Sequence, residues 1–107
     1  MRTFNYHADS SHGWLAVKID LIEELGIADK ISQYSYIRGN TVYLEEDVDA
    51  VLFHKAYTAK HGQYETETKY YDRRSPIRSY KPFTPDKIGA IKNHNRKFDP
   101  LKKEKQS

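Results

Sequence analysis

The stretch that decides the fold is residues 33–46, QYSYIRGNTVYLEE. Two β-prone runs flank the dipeptide Gly39-Asn40, and a glycine at the first of two turn positions is typical of a type II′ hairpin. The sequence therefore predicts two antiparallel strands joined by a two-residue turn, with Tyr36 opposite Tyr43.

The two sides of this hairpin differ in chemistry, because paired residues share a face and the faces alternate along a strand. The aliphatic side is predicted to carry Ile37, Val42, Leu44 and Ser35. The other side carries Tyr34, Tyr36, Tyr43, Arg38 and Glu45. We expect the aliphatic side to face the core. The tyrosine side could stack bases, bind a protein partner, or support a later segment of the chain.

Two helices are predicted, one before the hairpin in the sequence and one after it. Residues 47–62, DVDAVLFHKAYTAKHG, begin with acids and end with Lys60, His61 and Gly62, as helices do. The apolar stripe predicted for this helix is Val48, Val51, Leu52, Ala56 and Ala59, interrupted by Lys55. A shorter helix is predicted in IDLIEELGI, residues 19–27, with Asp20 as its cap and Gly26 at its end.

Three further segments have the pattern of strands. RTFNYHA (2–8) alternates and WLAVK (14–18) is β-prone. QYETETKYY (63–71) also alternates and is predicted to be a partly exposed edge strand, whose charges discourage edge-to-edge pairing. The element order is therefore ββαββαβ. We predict an α+β fold with a mainly antiparallel sheet of about five strands and two helices on one face.

The 107 residues, 37% of them apolar, are expected to form one domain with a basic end. We predict a compact domain over residues 1–71, a proline-containing arm over 72–90 packed on it, and a basic, flexible tail over 91–107. Regular structure is not expected after Tyr71, but Ile77, Tyr80 and Phe83 are spaced to anchor an extended arm in grooves of the domain.

Charge divides the chain more sharply than its net value of +3 suggests. Residues 1–68 hold 6 Lys or Arg against 11 Asp or Glu, whereas residues 69–107 hold 12 against 4. Such asymmetry indicates an acidic domain with a basic arm, which either binds an anionic partner or folds back on the acidic part.

Catalytic and metal sites are weakly supported. The acids Glu45, Glu46, Asp47 and Asp49 fit a helix N-terminus better than a metal site, because the helix dipole favours them there. His7 and His12 supply only two close ligands, and Ser10 and Ser11 beside His12 are predicted to be turn residues rather than nucleophiles. We expect no metal, no cofactor and no enzymatic activity.

Trp14 has two possible roles, a stacking surface beside Gly13 or a core anchor, and the second is favoured. The chain has no cysteine, which fits a reducing compartment, and no apolar run of about 18 residues. We therefore expect a cytoplasmic protein without a membrane partner.

Three segments carry a family resemblance, HGWLAV, LGIADKISQYSYIRGNTVYLEEDVDA and DRRSPIRSY. In these segments the chain resembles a group of small bacteriophage and plasmid proteins. The resemblance covers residues 4–80. The group has no assigned activity, so no functional residue is carried over. What the resemblance implies is a context in which small accessory proteins bind a host enzyme, a defence complex or nucleic acid.

We hypothesise a non-enzymatic accessory protein whose basic, tyrosine-rich segment binds nucleic acid or a nucleic-acid-handling host complex. The predicted contacts to phosphates or carboxylates are Arg73, Arg74, Arg78 and Lys81, with Tyr71 and Tyr80 stacking. Ile77 and Tyr80 are expected to be buried and the four cations to form one exposed patch. The alternatives are a protein inhibitor acting through Tyr34, Tyr36, Tyr43 and Arg38, and a small hydrolase.

Overall fold

The structure, a computed structural model, describes residues 1–84. Its strands are β1 (Arg2–Ala8), β2 (Gly13–Lys18), β3 (Tyr36–Arg38), β4 (Thr41–Glu45), β5 (Tyr64–Tyr70) and β6 (Lys81–Pro82). Its helices are α1 (Ile19–Glu24) and α2 (Asp49–His61), and short 3₁₀ turns lie at Ala28–Lys30 and Pro76–Ser79. Neither helix has the length and apolar character needed to cross a bilayer.

The predicted hairpin is confirmed in its turn and its register. Tyr36 lies opposite Tyr43 and Ile37 opposite Val42. Gly39 has a φ of 60°, a conformation that glycine adopts without steric cost. Ile37, Val42 and Leu44 are buried on the aliphatic side, as the alternation predicts.

The α+β fold is confirmed, with a sheet in the order β5-β1-β2-β4-β3-β6. Four of the strand pairings are antiparallel, while β5 is parallel to β1. After β4 the chain passes through α2 to the far edge of the sheet, and this crossover places β5 parallel to β1. The sixth strand, β6, comes from the arm.

The core lies between the helices and the aliphatic side of the sheet. Both helices contribute to one cluster of buried side chains: Phe4, Leu15, Val17, Ile19, Leu21, Ile22, Ile27, Ile31, Ile37, Val42, Leu44, Phe53, Tyr57 and Phe83. Trp14 and Ile77 are buried outside this cluster. The opposite side of the sheet, which we call the open face, is covered by neither helix.

The apolar stripe predicted for α2 is confirmed at Leu52 and Ala56, which pack against the core, but it is wrong at its two valines. Val48 is 63% exposed and Val51 44% exposed, whereas Phe53 and Tyr57 are buried. Phe53 and Tyr57 both meet Phe4 edge-on, at centroid distances of 5.3 and 5.4 Å. The two aromatic rings bury more area than two valines, so they set which side of the helix faces the sheet.

The ends of the helices partly follow the prediction. Gly26 and Gly62 have φ values of 71° and 84° and lie just beyond α1 and α2, as expected. Asp20 is not the cap of α1, because the helix begins one residue earlier, at Ile19, and Asp20 lies in its first turn.

The arm packs against the domain as far as it is described. Ile77 and Phe83 are each 1% exposed, and Tyr80 is half-buried. The expectation of no regular structure after Tyr71 is wrong at Pro76–Ser79 and at β6, which pairs with β3. Pro82 is tolerated there because β6 is an edge strand. The end of the predicted arm, residues 85–90, and the tail, 91–107, lie outside the described residues.

Candidate binding face

Four rings form a continuous row across the open face, which we call the aromatic stripe: Tyr71, His7, Tyr43 and Tyr80. The His7 ring stacks on Tyr71 at 6.0 Å and meets Tyr43 edge-on at 5.7 Å. Tyr43 then contacts Tyr80 at 5.2 Å. All four side chains are half-buried, so part of each ring remains open to solvent.

A cation lies over each end of the aromatic stripe. The Lys69 ammonium is 5.8 Å from the centre of the Tyr71 ring, and the Arg38 guanidinium is 5.1 Å from the centre of the Tyr80 ring. Both residues are exposed. The arrangement is a row of aromatic surfaces bounded by positive charge.

Strand register explains how these residues come together. His7 lies between Trp14 on β2 and Lys69 on β5, so the three side chains share the open face. Tyr43 of β4 lies opposite Ala16 of β2, which is on the same side of β2 as Trp14, so Tyr43 shares the open face. Tyr80 comes from the arm, and sequence alternation alone does not place it there.

Burial within the stripe changes the chemistry of two of its groups. Burial and, secondarily, the positive charge of Lys69 lower the pKa of His7 below 6.5. His7 is therefore neutral at pH 7. Its Nδ1 lies 3.0 Å from the Tyr71 hydroxyl. Burial, reinforced by Tyr80, raises the pKa of Tyr43, so the Tyr43 hydroxyl stays protonated near neutral pH.

Asp9 fixes the arm to the first turn. Arg78 Nε donates to Asp9 Oδ2 at 2.7 Å and Arg78 Nη2 donates to Asp9 Oδ1 at 3.0 Å. The backbone N–H groups of Ser75, Ser11 and His12 also donate to this carboxylate. Arg78 holds the pKa of Asp9 far below its ordinary value of 3.8. Ser11 therefore belongs to the turn, as predicted.

The prediction of one exposed patch of four cations is wrong for Arg78. Its side chain is only 22% exposed, is paired with Asp9, and lies over the Trp14 ring at 5.4 Å. Arg73, Arg74 and Lys81 are exposed. Arg74 lines a cavity with Ser10 and Ser11 beside the first turn, whereas Lys81 lies on β6 opposite Ile37.

A second concavity lies beside the stripe. It has a volume of about 410 Å³ and is lined by Trp14, Tyr34, Tyr36, Glu45 and Arg78, among others. Trp14 is 3% exposed, which fits its predicted role as an anchor, but it contacts Tyr36 on the open face rather than the main core. Tyr34 is 77% exposed at the rim.

The acidic cluster is divided between two roles. Glu45 stabilises the start of α2 by accepting hydrogen bonds from the backbone N–H groups of Asp47, Val48 and Asp49. Asp49 lies at the N-terminus of α2, as predicted, but its side chain does not face solvent. Asp49 is fully buried and accepts hydrogen bonds from Ser32 and Ser35. Among residues 1–84, no three His or acidic residues are grouped so as to hold a metal ion.

The residues that sequence reasoning missed are His7 and Lys69. The alternation of β1 already placed His7 on the side away from Phe4, and that of β5 placed Lys69 apart from Tyr70. The missing information was the parallel pairing of β5 with β1, which brings Lys69 beside His7. Of the residues predicted to bind a partner, the stripe and its ends unite Tyr71, Tyr80, Tyr43 and Arg38.

No family model, curated protein or solved structure matches the chain. Its function is therefore inferred from the geometry of the open face.

Proposed function

We propose that this protein is a non-enzymatic accessory protein that binds single-stranded nucleic acid on its open face. The observation that carries the proposal is the aromatic stripe of Tyr71, His7, Tyr43 and Tyr80 with Lys69 and Arg38 at its ends. Exposed aromatic surfaces on a sheet, together with cations, are what proteins use to bind unpaired bases and the backbone that joins them.

The chemistry of the stripe supports this ligand class over a duplex. A base offers a π face to every ring, so stacking tolerates any sequence. The neutral His7 and the protonated Tyr43 place no negative charge at the middle of the stripe. Lys69 and Arg38 lie where phosphates leaving either end of the stripe would pass. Lys81 is exposed but pairs with Ile37, so it lies on the other side of the sheet and is assigned no contact here.

The arm contributes to binding indirectly through Arg78. Because Arg78 is paired with Asp9, we assign it the role of holding the arm, and through it Tyr80, against the sheet. The bacteriophage and plasmid context implied by the sequence fits such a protein. A host nucleic-acid-handling complex is the alternative anionic partner for the same face.

The experiment is a fluorescence anisotropy titration of labelled oligothymidine, single-stranded RNA and duplex DNA at several salt concentrations. Tyr80→Ala and Arg38→Ala are expected to weaken single-strand binding about tenfold each, since stacking is worth about 1–3 kcal/mol per base. The matched controls are Tyr34→Ala, whose side chain is 77% exposed and lies outside the stripe, and Lys55→Ala, an exposed cation on α2 at the other side of the sheet.

Salt dependence separates this function from protein inhibition. The logarithm of the affinity should fall by about 0.7 per neutralised phosphate for each tenfold rise in salt. If no single strand binds at low salt, or if the control variants weaken binding as much as the stripe variants do, the proposal is wrong. A salt-insensitive protein partner captured through Tyr34 and Tyr36 would instead favour the inhibitor hypothesis.

A further inference from the structure

The two edges of the sheet differ in how they are protected. At one edge, β6 has only two residues and ends in Pro82, and both features prevent another strand from adding. At the other edge, β5 has seven residues, Tyr64–Tyr70, and all except Tyr64 are exposed. The β5 edge is therefore a long strand whose protection consists of its charged side chains, Glu65, Glu67 and Lys69.

The unpaired backbone groups of β5 belong to its even-numbered residues. The Tyr71 N–H donates to the Ala8 carbonyl of β1 at 2.9 Å. Because the N–H and C=O groups of successive residues point to opposite sides of a strand, those of Tyr70, Thr68 and Thr66 point away from β1. β1 is the only strand paired with β5 among the described residues.

The sequence of this edge is complementary to itself in one antiparallel register. When two copies of β5 pair about a twofold axis at Thr68, Glu67 of each copy lies opposite Lys69 of the other. Thr66 then lies opposite Tyr70, a pairing of a β-branched with an aromatic residue that stabilises sheets. Glu67 and Lys69 occupy the non-hydrogen-bonded positions, where side chains come closest.

The position of Tyr70 also favours pairing of β5 with a second copy of itself. Its side chain is 80% exposed. Thr68 pairs with Tyr6, on the core side of the sheet, and Tyr70 is two residues further along β5, so Tyr70 lies on the core side as well. In the Thr68-centred register, the partner's ring would lie beside Thr66. There a groove of about 290 Å³ is lined by Tyr6, Ala50, Tyr64, Thr66 and Thr68.

We propose that this protein forms a symmetric dimer by antiparallel pairing of β5 with β5 of a second copy, centred on Thr68. The twofold axis stands perpendicular to the sheet, so the two open faces become one continuous surface. The inference rests on the edge alone and does not depend on what the open face binds.

Charge reversal tests the register directly, with sedimentation velocity as the measurement. Wild type is expected to be a dimer. Glu67→Lys and Lys69→Glu each place two like-charged pairs in the interface and should raise the dimer dissociation constant at least about tenfold. An equimolar mixture of the two variants should recover the dimer, because both cross-strand pairs then join a lysine of one chain to a glutamate of the other. The double variant E67K/K69E should also recover it.

Glu65→Lys is the matched control. In the Thr68-centred register, Glu65 faces Tyr71, so its reversal should leave the dimer intact. Circular dichroism confirms that each variant is folded, and recovery in the mixture excludes misfolding as the cause of dissociation. A monomeric wild type, dimers that persist in both single variants, or dissociation caused by E65K but not by E67K would each overturn the proposal.

Discussion

Arg78 binds Asp9 through two hydrogen bonds, although the residues are 69 positions apart in sequence. The Asp9 side chain is 1% exposed, and it also accepts hydrogen bonds from the backbone of the first turn. One carboxylate therefore organises the β1–β2 turn and attaches the arm that carries Tyr80. The positive charge of the arm is in part an internal requirement of the fold.

Arg78→Ala should lower the melting temperature by about 5 °C or more, because it leaves a buried carboxylate without its cation. Arg74→Ala is the control, since Arg74 is exposed, and its melting temperature should stay close to that of wild type. Thermal melts followed by circular dichroism measure both. Equal melting temperatures for the two variants would contradict the role assigned to Arg78.

Asp49→Ala should destabilise the protein by about 2–3 kcal/mol, because Ser32 and Ser35 lose their buried hydrogen-bond acceptor. Asp47→Ala, two positions earlier and exposed, should change the free energy of unfolding by less than about 0.5 kcal/mol. Urea unfolding curves give both values. If Asp47→Ala were the more harmful change, Asp49 would not be the polar centre of this region.

Phe83→Ala should cost about 3–5 kcal/mol, since the ring is 1% exposed and belongs to the main core. Pro82→Ala is a neighbouring control on the exposed edge strand. Limited proteolysis should cut the Phe83→Ala arm much faster than the wild-type arm. An unchanged cleavage rate would mean that the arm is held without this ring.

Stability should fall as the pH drops below 6.5, in part because of His7. Its folded pKa is lowered from 6.5 by burial and by Lys69, so below that pH the unfolded chain takes up a proton that the folded chain resists. Above 6.5 both forms are neutral and this contribution is complete.

The variant His7→Gln should lose this part of the pH dependence. Urea unfolding gives the free energy of unfolding of both proteins at about pH 7.5 and 5.5. The loss of stability between these pH values is then compared between wild type and variant, and in this comparison the contributions of the other titrating groups cancel. The same loss of stability in both proteins on acidification would show that His7 does not contribute.

The local elements were predictable from sequence because their signals are local. Gly39-Asn40 determines the hairpin and its register through turn geometry, and alternation then separates Ile37 and Val42 from Tyr36 and Tyr43. Gly26 and Gly62 mark the ends of their helices for the same reason. These turn and helix-end conformations depend on neighbouring residues alone, without contacts from distant parts of the chain.

The orientation of α2 and the composition of the binding face were decided by tertiary structure. The sequence offered a valine stripe, but Phe53 and Tyr57 could bury more area against Phe4. The parallel pairing of β5 with β1 brought Lys69 beside His7. Pairing with Asp9 turned Arg78, predicted to be a surface cation, inward. The arm placed the Tyr80 ring against Tyr43. These outcomes depend on which residues, distant in sequence, can pack their apolar surfaces together and pair their buried charges. Local sequence preferences do not contain that information.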